Sequence, residues 1–127
     1  MITLNPKQEK LKQQVSSHWK FGLFLLTELP MGLVAGMRLR HIDENKCVTS
    51  VPFKWLTKNP FKSIYFAVQS MAAELSTATA CLLAVQGHNP SVAFIIVDLK
   101  ATFGKKATGS VYFTCEDGMK AFDAVNK

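Results

Sequence analysis

Residues 62–86 read KSIYFAVQSMAAELSTATACLLAVQ, a stretch without glycine or proline. Gly87 and Pro90 follow it, which is how helices commonly end. At 1.5 Å per residue, a helix over this stretch is about 37 Å long. From Met71 to Val85, small and apolar residues surround nearly its whole circumference, and a thin helix that is apolar all round is typical of a buried position. Because small side chains let another element come close, we expect a sheet wrapped around this helix.

Alternating apolar and polar residues on both sides of this long helix predict two hairpins. The first hairpin turns at the polar residues 43–46, and the second turns at residues 104–109. The segment 92–103 begins as an unbroken apolar run and then alternates. The four strands are predicted at 37–42, 47–54, 92–103 and 110–116.

A further helix is predicted towards each end of the chain. Pro6 suits a first helical turn and Asn5 suits its cap, so the first helix is expected over residues 6–29. A short helix is expected over residues 119–125. The order of helix, hairpin, long helix, hairpin and helix predicts one α+β domain covering residues 1–127. Since a four-stranded sheet leaves an exposed edge, we expect self-association or a fold that ends before its sheet is complete.

The composition is that of a basic globular protein. Hydrophobic residues make up 48% and charged residues 19%, and 15 Lys and Arg against 9 Asp and Glu give a net charge of +6. Such a charge suits nucleic acid, an anionic membrane surface, a phosphate-bearing ligand or simply a soluble basic protein. The basic residues are scattered and no aromatic–basic motif of an RNA-binding sheet is present, so no nucleic-acid partner is predicted.

The cysteine and histidine spacing predicts neither a disulfide framework nor a metal site. Cys47, Cys81 and Cys115 are far apart in the sequence and odd in number, and the histidines are isolated. Free thiols fit a reducing cytosol, so a cytoplasmic location is predicted. The most apolar stretch, residues 21–37, contains Glu28 and is shorter than the roughly 20 residues of a spanning helix. We therefore expect neither a membrane span nor a secretory signal.

Glu74 is the first candidate functional residue. It is the only acidic or basic side chain between Lys62 and His88, and it lies mid-helix among apolar residues. Burying an unpaired carboxylate is costly, so such a residue is usually paired, protonated or functional. The alternative is that Glu74 faces solvent on a polar stripe with Ser70, Thr77 and Cys81.

The start of the long helix is the second candidate site. Lys58 and Lys62 flank it, and the first backbone amides of a helix are unpaired donors. Together they suit a phosphate or a developing oxyanion, although ordinary solvated lysines are the alternative. Asn59 lies in the entering loop, fifteen residues before Glu74. Because Glu74 is then about three turns into the helix, the two side chains are placed to line a shared cleft.

This pattern resembles the hotdog-fold thioesterases over about residues 20–118. It is most similar to the phenylacetyl-CoA-thioesterase-like branch, and within it to a group of bacterial proteins of unassigned function. The pattern is a hairpin, an Asn-bearing loop, a long helix with an acid, and then IIVDLKATF at 95–103. The resemblance implies an antiparallel sheet wrapped around a long central helix. It assigns Asn59 to orient the thioester or water, the Phe66 N–H to polarise the thioester carbonyl, and Glu74 as nucleophile or general base.

Three features differ from the family pattern. Some members carry a hydroxyl residue on the first strand after the long helix, where this chain has Ile96. Tyr65, Phe66 and Ala67 stand where the family usually carries His-Gly-Gly, which narrows access to the site, although a backbone donor needs no particular side chain. The hotdog sheet normally has five or six strands, whereas four are predicted here. C-terminal strands are therefore expected to be missing, either because the chain is a truncated form or because the sheet is completed otherwise.

The resemblance implies an acyl-CoA thioesterase with acyl-CoA as substrate and no further cofactor. The acyl chain is expected along the apolar helix wall, and the coenzyme phosphates beside the lysines. The expected substrate-binding residues are Tyr65, Ser70, Lys58 and Lys62, with Lys105 as a further cation. A non-catalytic acyl- or lipid-binding protein of the same fold is the alternative, and it needs the apolar tunnel but not Glu74. Because hotdog relatives pair their sheets, we expect a homodimer or a higher homo-oligomer.

Overall fold

The computed structural model describes residues 3–88, 90 and 92–126 and arranges them as an α+β structure around one long helix. The helices are α1 (Pro6–Ser16), α2 (His18–Glu28), α3 (Pro30–Ala35), α4 (Phe66–Val85) and α5 (Gly118–Val125). The strands are β1 (Arg38–Ile42), β2 (Cys47–Val51) and β3 (Val111–Cys115). They form an antiparallel sheet in the order β1-β2-β3, in which β2 pairs with both neighbours. The predicted α+β class is confirmed.

Helix α4 packs one side against β2 and β3. Cys47, Thr49 and Val51, which alternate along β2, are fully buried. The Thr49 hydroxyl donates to the Ala72 carbonyl over 2.7 Å, a contact that the small alanine side chain allows. The buried side of α4 consists of Ala72, Leu75, Ser76, Thr79, Ala80, Leu83 and Ala84. A long, small-residue helix with a sheet packed against it is therefore present, as the sequence predicts.

The N-terminal region consists of three helices, and the prediction of a single helix over residues 6–29 is wrong. Asn5 caps α1 as predicted, since its side chain accepts from the Gln8 N–H while the Gln8 side chain accepts from the Asn5 N–H. Ser17 has an extended backbone, with φ −81° and ψ 126°, and separates α1 from α2. Serine is a weak helix former because its hydroxyl competes for backbone groups, which explains a break at this point.

Helix α4 begins at Phe66, four residues later than the predicted start at residue 62. The Asn59 Oδ1 atom accepts hydrogen bonds from the Phe61 N–H over 2.9 Å and the Ser63 N–H over 3.3 Å. Lys62 adopts a left-handed backbone with φ 62°. These side-chain bonds to nearby amides hold the loop in a turn instead of a helix.

Residues 92–103 form no strand, so the sheet has three strands and the predicted fourth is wrong. Within the described residues, no backbone–backbone hydrogen bond reaches the segment 92–106. Ile95 is 83% exposed and Val97 is 88% exposed. The apolar pattern is strand-like, but a strand needs a neighbour for its N–H and C=O groups, and the described part of the chain supplies none here.

As a consequence, α4 is not covered on all sides. Ala67 and Thr77 are exposed, and Glu74 is only partly buried. The expectation that the helix is buried around its whole circumference is therefore wrong, because the side that the segment 92–103 was expected to cover stays partly open. Helix α4 is also long and apolar enough to cross a membrane, with a mean hydropathy of 1.3. The core helix of a soluble protein passes the same test, so this property is weak support for a membrane span.

The predicted turn between β1 and β2 is held by Asp43. Its carboxylate accepts from the backbone N–H groups of Asn45 over 2.7 Å and Lys46 over 2.9 Å, and it lies 2.6 Å from His41 Nε2. Burial works to raise the pKa of this carboxyl, but the hydrogen bonds outweigh burial and lower the pKa to about 2. Helix α5 begins against the turn, where the Gly118 N–H donates to the Asn45 carbonyl over 3.1 Å.

Candidate functional site

A mainly apolar cavity of about 670 Å³ opens at the N-terminal end of α4. Its walls come from the loop that enters α4, the first turn of α4 and residues 103–107. Asn59, Tyr65 and Phe66, three of the residues predicted from the sequence, line this cavity. The structure therefore brings together the loop and the helix start that the sequence singles out.

The oxygen of the Asn59 carboxamide is used in hydrogen bonds within the loop. Its Oδ1 accepts from the N–H groups of Phe61 and Ser63 and from the Ser63 hydroxyl over 3.2 Å. In the described part of the chain, no hydrogen bond uses its Nδ2 group. Asn59 is thus held in place by its acceptor end, while its donor end is available to a ligand.

The first amides of α4 are open donors. The N–H groups of Phe66 and Ala67 bond to no protein acceptor among the described residues, whereas those of Val68 and Gln69 both reach the Tyr65 carbonyl. Tyr65 precedes the helix and gives no side-chain cap. The uncapped start of a twenty-residue helix therefore presents donors beside the cavity.

Aromatic rings form the apolar part of the cavity wall. The Phe66 ring lies edge-on to Tyr65 at 5.0 Å and to Phe103 at 6.4 Å between ring centroids. Phe103 and Gln69 are lining residues that the sequence analysis missed. Gln69 lies one turn after Phe66, a spacing that indicates the same side of the helix, but no sequence signal brings Phe103 to this point.

The cations at the cavity are Lys105 and Lys106. Both lie in the turn predicted at residues 104–109, and the expected contact with the coenzyme phosphates names Lys105. Lys58 and Lys62 are exposed and do not line the cavity. The positive charge closest to the apolar wall thus comes from the segment after residue 103.

Glu74 and Ser70 lie outside the cavity lining. Glu74 is eight residues beyond Phe66, about 12 Å along the helix axis. Its carboxylate has no hydrogen bond or ion pair to any described residue. Burial raises the pKa of Glu74 above its ordinary value of 4.5. The structure of one chain therefore keeps this acid partly buried and unpaired, but does not bring it to Asn59.

The described residues contain no cluster of three or more histidine, cysteine or acidic side chains that is placed to hold a metal ion. The fold does bring two cysteines closer than their sequence positions suggest, since Cys47 and Cys115 are direct partners across β2 and β3. Both are free, and burial, with smaller effects from Cys115 and Asp43, raises the pKa of Cys47 to about 12. Cys47 is therefore a poor nucleophile in this position.

No protein-family model and no curated protein matches the chain. Two solved structures are similar to it. One is a protein of unknown function from Chlorobaculum tepidum, with 16% identity and a TM-score of 0.67 over 86% of this chain and 60% of that protein. The other is a crystal structure from a genomics project, with 16% identity and a TM-score of 0.65 over 83% of this chain and 71% of its own length.

The chain thus spans about 60% of the length of the Chlorobaculum tepidum protein. At 16% identity, these similarities establish a shared fold and nothing about activity. The predictions of substrate, catalysis and assembly therefore depend on the geometry of the site.

Proposed function

We propose that the chain is a hotdog-fold acyl-thioester hydrolase in the cytoplasm, with acyl-CoA as its substrate and no further cofactor. The observation that carries this proposal is the cavity at the start of α4, where unpaired backbone donors and the Asn59 amide meet an aromatic wall. Backbone donors beside a reacting carbonyl stabilise the oxyanion that forms there. An apolar wall accommodates an acyl group, and two lysines offer charge to the coenzyme phosphates.

In this proposal the Phe66 N–H donates to the thioester carbonyl oxygen, and the Asn59 Nδ2 group orients the thioester or the attacking water. Glu74 takes a proton from that water, whose oxygen bonds to the carbonyl carbon. The carbon–sulfur bond then breaks, and the thiolate receives the proton, leaving a free acid and a thiol. The acyl group lies against Tyr65, and Ser70 and the loop lysines 58 and 62 lie at its margins.

In this proposal a second copy of the chain brings its Glu74 to the cavity, because Glu74 of the same chain does not reach Asn59. Residues 93–103 are exposed, mostly apolar and without backbone hydrogen bonds in the described part of the chain, so the segment 92–103 suits an added strand in a homodimer. Asp98 and Lys100 are the only charged residues of this segment. In an antiparallel pair centred on Leu99, each Asp98 lies directly opposite the second copy's Lys100, which favours this register.

Charge exchange tests the assembly. Asp98→Lys and Lys100→Asp each place like charges opposite each other, so sedimentation equilibrium should show weaker homodimers for both variants than for the wild type. An equimolar mixture of the two variants restores opposite charges at both positions and should form heterodimers. A wild-type monomer at micromolar concentration, or variants that dimerise as well as the wild type, would contradict the proposed pairing.

Release of free thiol from short, long and aromatic acyl-CoAs tests the activity. Asn59→Asp keeps the Oδ1 atom that the loop uses and removes the donor group, so the fold should persist while cleavage falls by about 10- to 100-fold. Absence of thiol release from every acyl-CoA would eliminate the hydrolase. Retained acyl-CoA binding without cleavage would instead favour the alternative, a non-catalytic acyl or lipid carrier, for which the same apolar wall suffices.

A further inference from the structure

A second pocket lies away from the cavity at the start of α4 and shares no lining residue with it. It has a volume of about 250 Å³ and lies where the C-terminal end of α3 meets β1 and β2. Its side chains include three cations and two hydroxyl groups. They are Arg38, Arg40, Lys54, Ser50 and Ser110.

The sheet explains why these side chains converge. Arg38 on β1 pairs in register with Ser50 on β2, and the pairing slips between Leu39 and His41, which makes Arg40 the extra residue of a bulge. Residues two apart on a strand point to the same face, so Arg40 shares the face of Arg38 and of its partner Ser50, and with the bulge in place all three line the same pocket.

Two contacts hold the Arg40 guanidinium. Its Nε donates to the Ser50 hydroxyl over 2.8 Å, and its Cζ lies 5.5 Å from the centroid of the Tyr112 ring. Neither contact uses the terminal N–H groups of Arg40. Ser50 is only 2% exposed, and its own hydroxyl proton reaches no acceptor among the described residues. Arg40 is an exposed residue, and these two contacts orient its guanidinium while leaving the terminal N–H groups available to a ligand.

The pocket has no counterion of its own. Among the described residues, no aspartate or glutamate lines it. Within the described residues, the ion pairs are His41 with Asp43 and Lys120 with Asp117, and neither involves a cation of this pocket. Three positive groups around one small space repel one another unless an anion joins them. Lys54 lies close to this centre, since its Nζ is 3.0 Å from the position that a Cβ on Gly36 would take.

We propose that this pocket binds the phosphoryl group of a phosphate monoester. A phosphoryl group carries up to two negative charges and three acceptor oxygens, which match the guanidinium groups, the ammonium and the buried hydroxyl better than a carboxylate does. A volume of about 250 Å³ admits the phosphoryl group while the rest of the ester extends into solvent. The site is separate from the proposed thioester cavity and does not depend on that activity.

Isothermal titration of the full chain with pyrophosphate at about 150 mM salt tests the site, because this salt screens weak surface attraction. Arg40→Ala and Lys54→Ala should each weaken binding by about tenfold or more, since each removes a charged donor. Arg40→Lys keeps the charge but loses the bond to Ser50, and should weaken binding by a smaller factor. Lys20→Ala is the matched control, because Lys20 is an exposed cation on α2 outside the pocket, and it should change affinity by less than about twofold.

The source of the phosphoryl group is tested with vesicles of phosphatidic acid and of phosphatidylcholine. Pyrophosphate binding without vesicle binding identifies a soluble ester, whereas binding of both pyrophosphate and phosphatidic acid identifies a lipid headgroup. No pyrophosphate binding by the wild type, or an equal loss in Lys20→Ala and Lys54→Ala, overturns the proposal. Binding of a polynucleotide but not of pyrophosphate also overturns it. Circular dichroism checks that each variant is folded. If Arg40→Ala fails to fold, Lys54→Ala decides the test, because the Lys54 side chain makes no hydrogen bond within the described residues.

Discussion

Glu74→Gln is the substitution that best separates a catalytic carboxylate from a structural one. Glutamine has the same shape, so the change removes the charge and leaves the packing of α4 intact. Glu74 is partly buried and its carboxylate bonds to no described residue. Because burial alone raises its pKa above 4.5, the charged form is less stable in the folded chain than in water.

The sign of the stability effect follows from that pKa. The folded state binds the Glu74 proton more tightly than the unfolded state, so the charge lowers stability at neutral pH, and this cost disappears as pH falls below about 4.5. Since the side chain is only partly buried and water screens its charge, we expect Glu74→Gln to raise the free energy of unfolding at pH 7 by no more than about 0.5 kcal/mol. At pH 4 and below, the variant and the wild type should converge.

Urea unfolding at pH 7 and pH 4, together with thiol release from acyl-CoA, provides the measurements. A general base should contribute at least about 100-fold to kcat, so cleavage should nearly vanish while stability holds or rises. Glu9→Gln is the control, because it removes the same charge from an exposed position and should leave cleavage unchanged. Since Glu9 lies in the first turn of α1, where a negative charge favours the helix, any stability change in this variant should be a small loss, opposite in sign to that of Glu74→Gln. A loss of more than about 1 kcal/mol in Glu74→Gln would refute this reasoning, since it would mean that the carboxylate has a structural partner.

Three further predictions concern stability. Gly118→Ala should destabilise the chain by about 1–3 kcal/mol in urea unfolding, because an added Cβ would lie 2.9 Å from the Asn45 carbonyl oxygen, which is backbone and cannot swing away. Thr49→Val should cost about 1–2 kcal/mol, measured as a lower Tm, because it removes the buried 2.7 Å bond to the Ala72 carbonyl. Asp43, with its pKa lowered from 3.8 to about 2, should add stability above pH 3.8 that is lost as pH falls towards 2, and Asp43→Asn should flatten this part of the pH curve.

Alternation and end signals in the sequence predicted the strands of the sheet and the end of the long helix. Alternation predicted β1, β2 and β3, and the glycine after α4 has the left-handed φ of 71° that ends a helix. The predicted start of α4 is too early. The apolar pattern does not reveal that the backbone N–H groups of Phe61 and Ser63 donate to the Asn59 side chain and so stay outside the helix. At residues 92–97 the local pattern predicted too much structure. These residues favour a strand, but a local pattern does not show whether a neighbouring strand is present to pair with them.

For the candidate site too, the residues that are near one another in sequence could be predicted, and the distant one could not. Asn59, Tyr65 and Phe66 are near one another in sequence, so a correct loop and helix start bring them together. Phe103 joins them from a distant segment whose path follows from tertiary packing. The separation of Glu74 from the cavity follows from the rise of the helix, because eight residues extend about 12 Å and no loop can shorten that distance.

Within its described residues, a single chain therefore lacks both a strand partner for residues 92–103 and an acid at the cavity, and dimerisation would supply both. Residues 92–103 have no hydrogen-bonding neighbour in the described chain, and the cavity at the start of α4 has donors without an acid. If pairing of two copies through this segment brings one copy's Glu74 to the other copy's cavity, thioester cleavage per chain must fall on dilution below the dimer Kd. Asp98→Lys should shift that fall to higher protein concentration, and adding Lys100→Asp chains should reverse the shift. Pyrophosphate binding by Arg40 and Lys54 should stay constant over the same dilution, because every residue of that pocket comes from one chain. Cleavage per chain that does not depend on concentration would show that each site is complete within one copy.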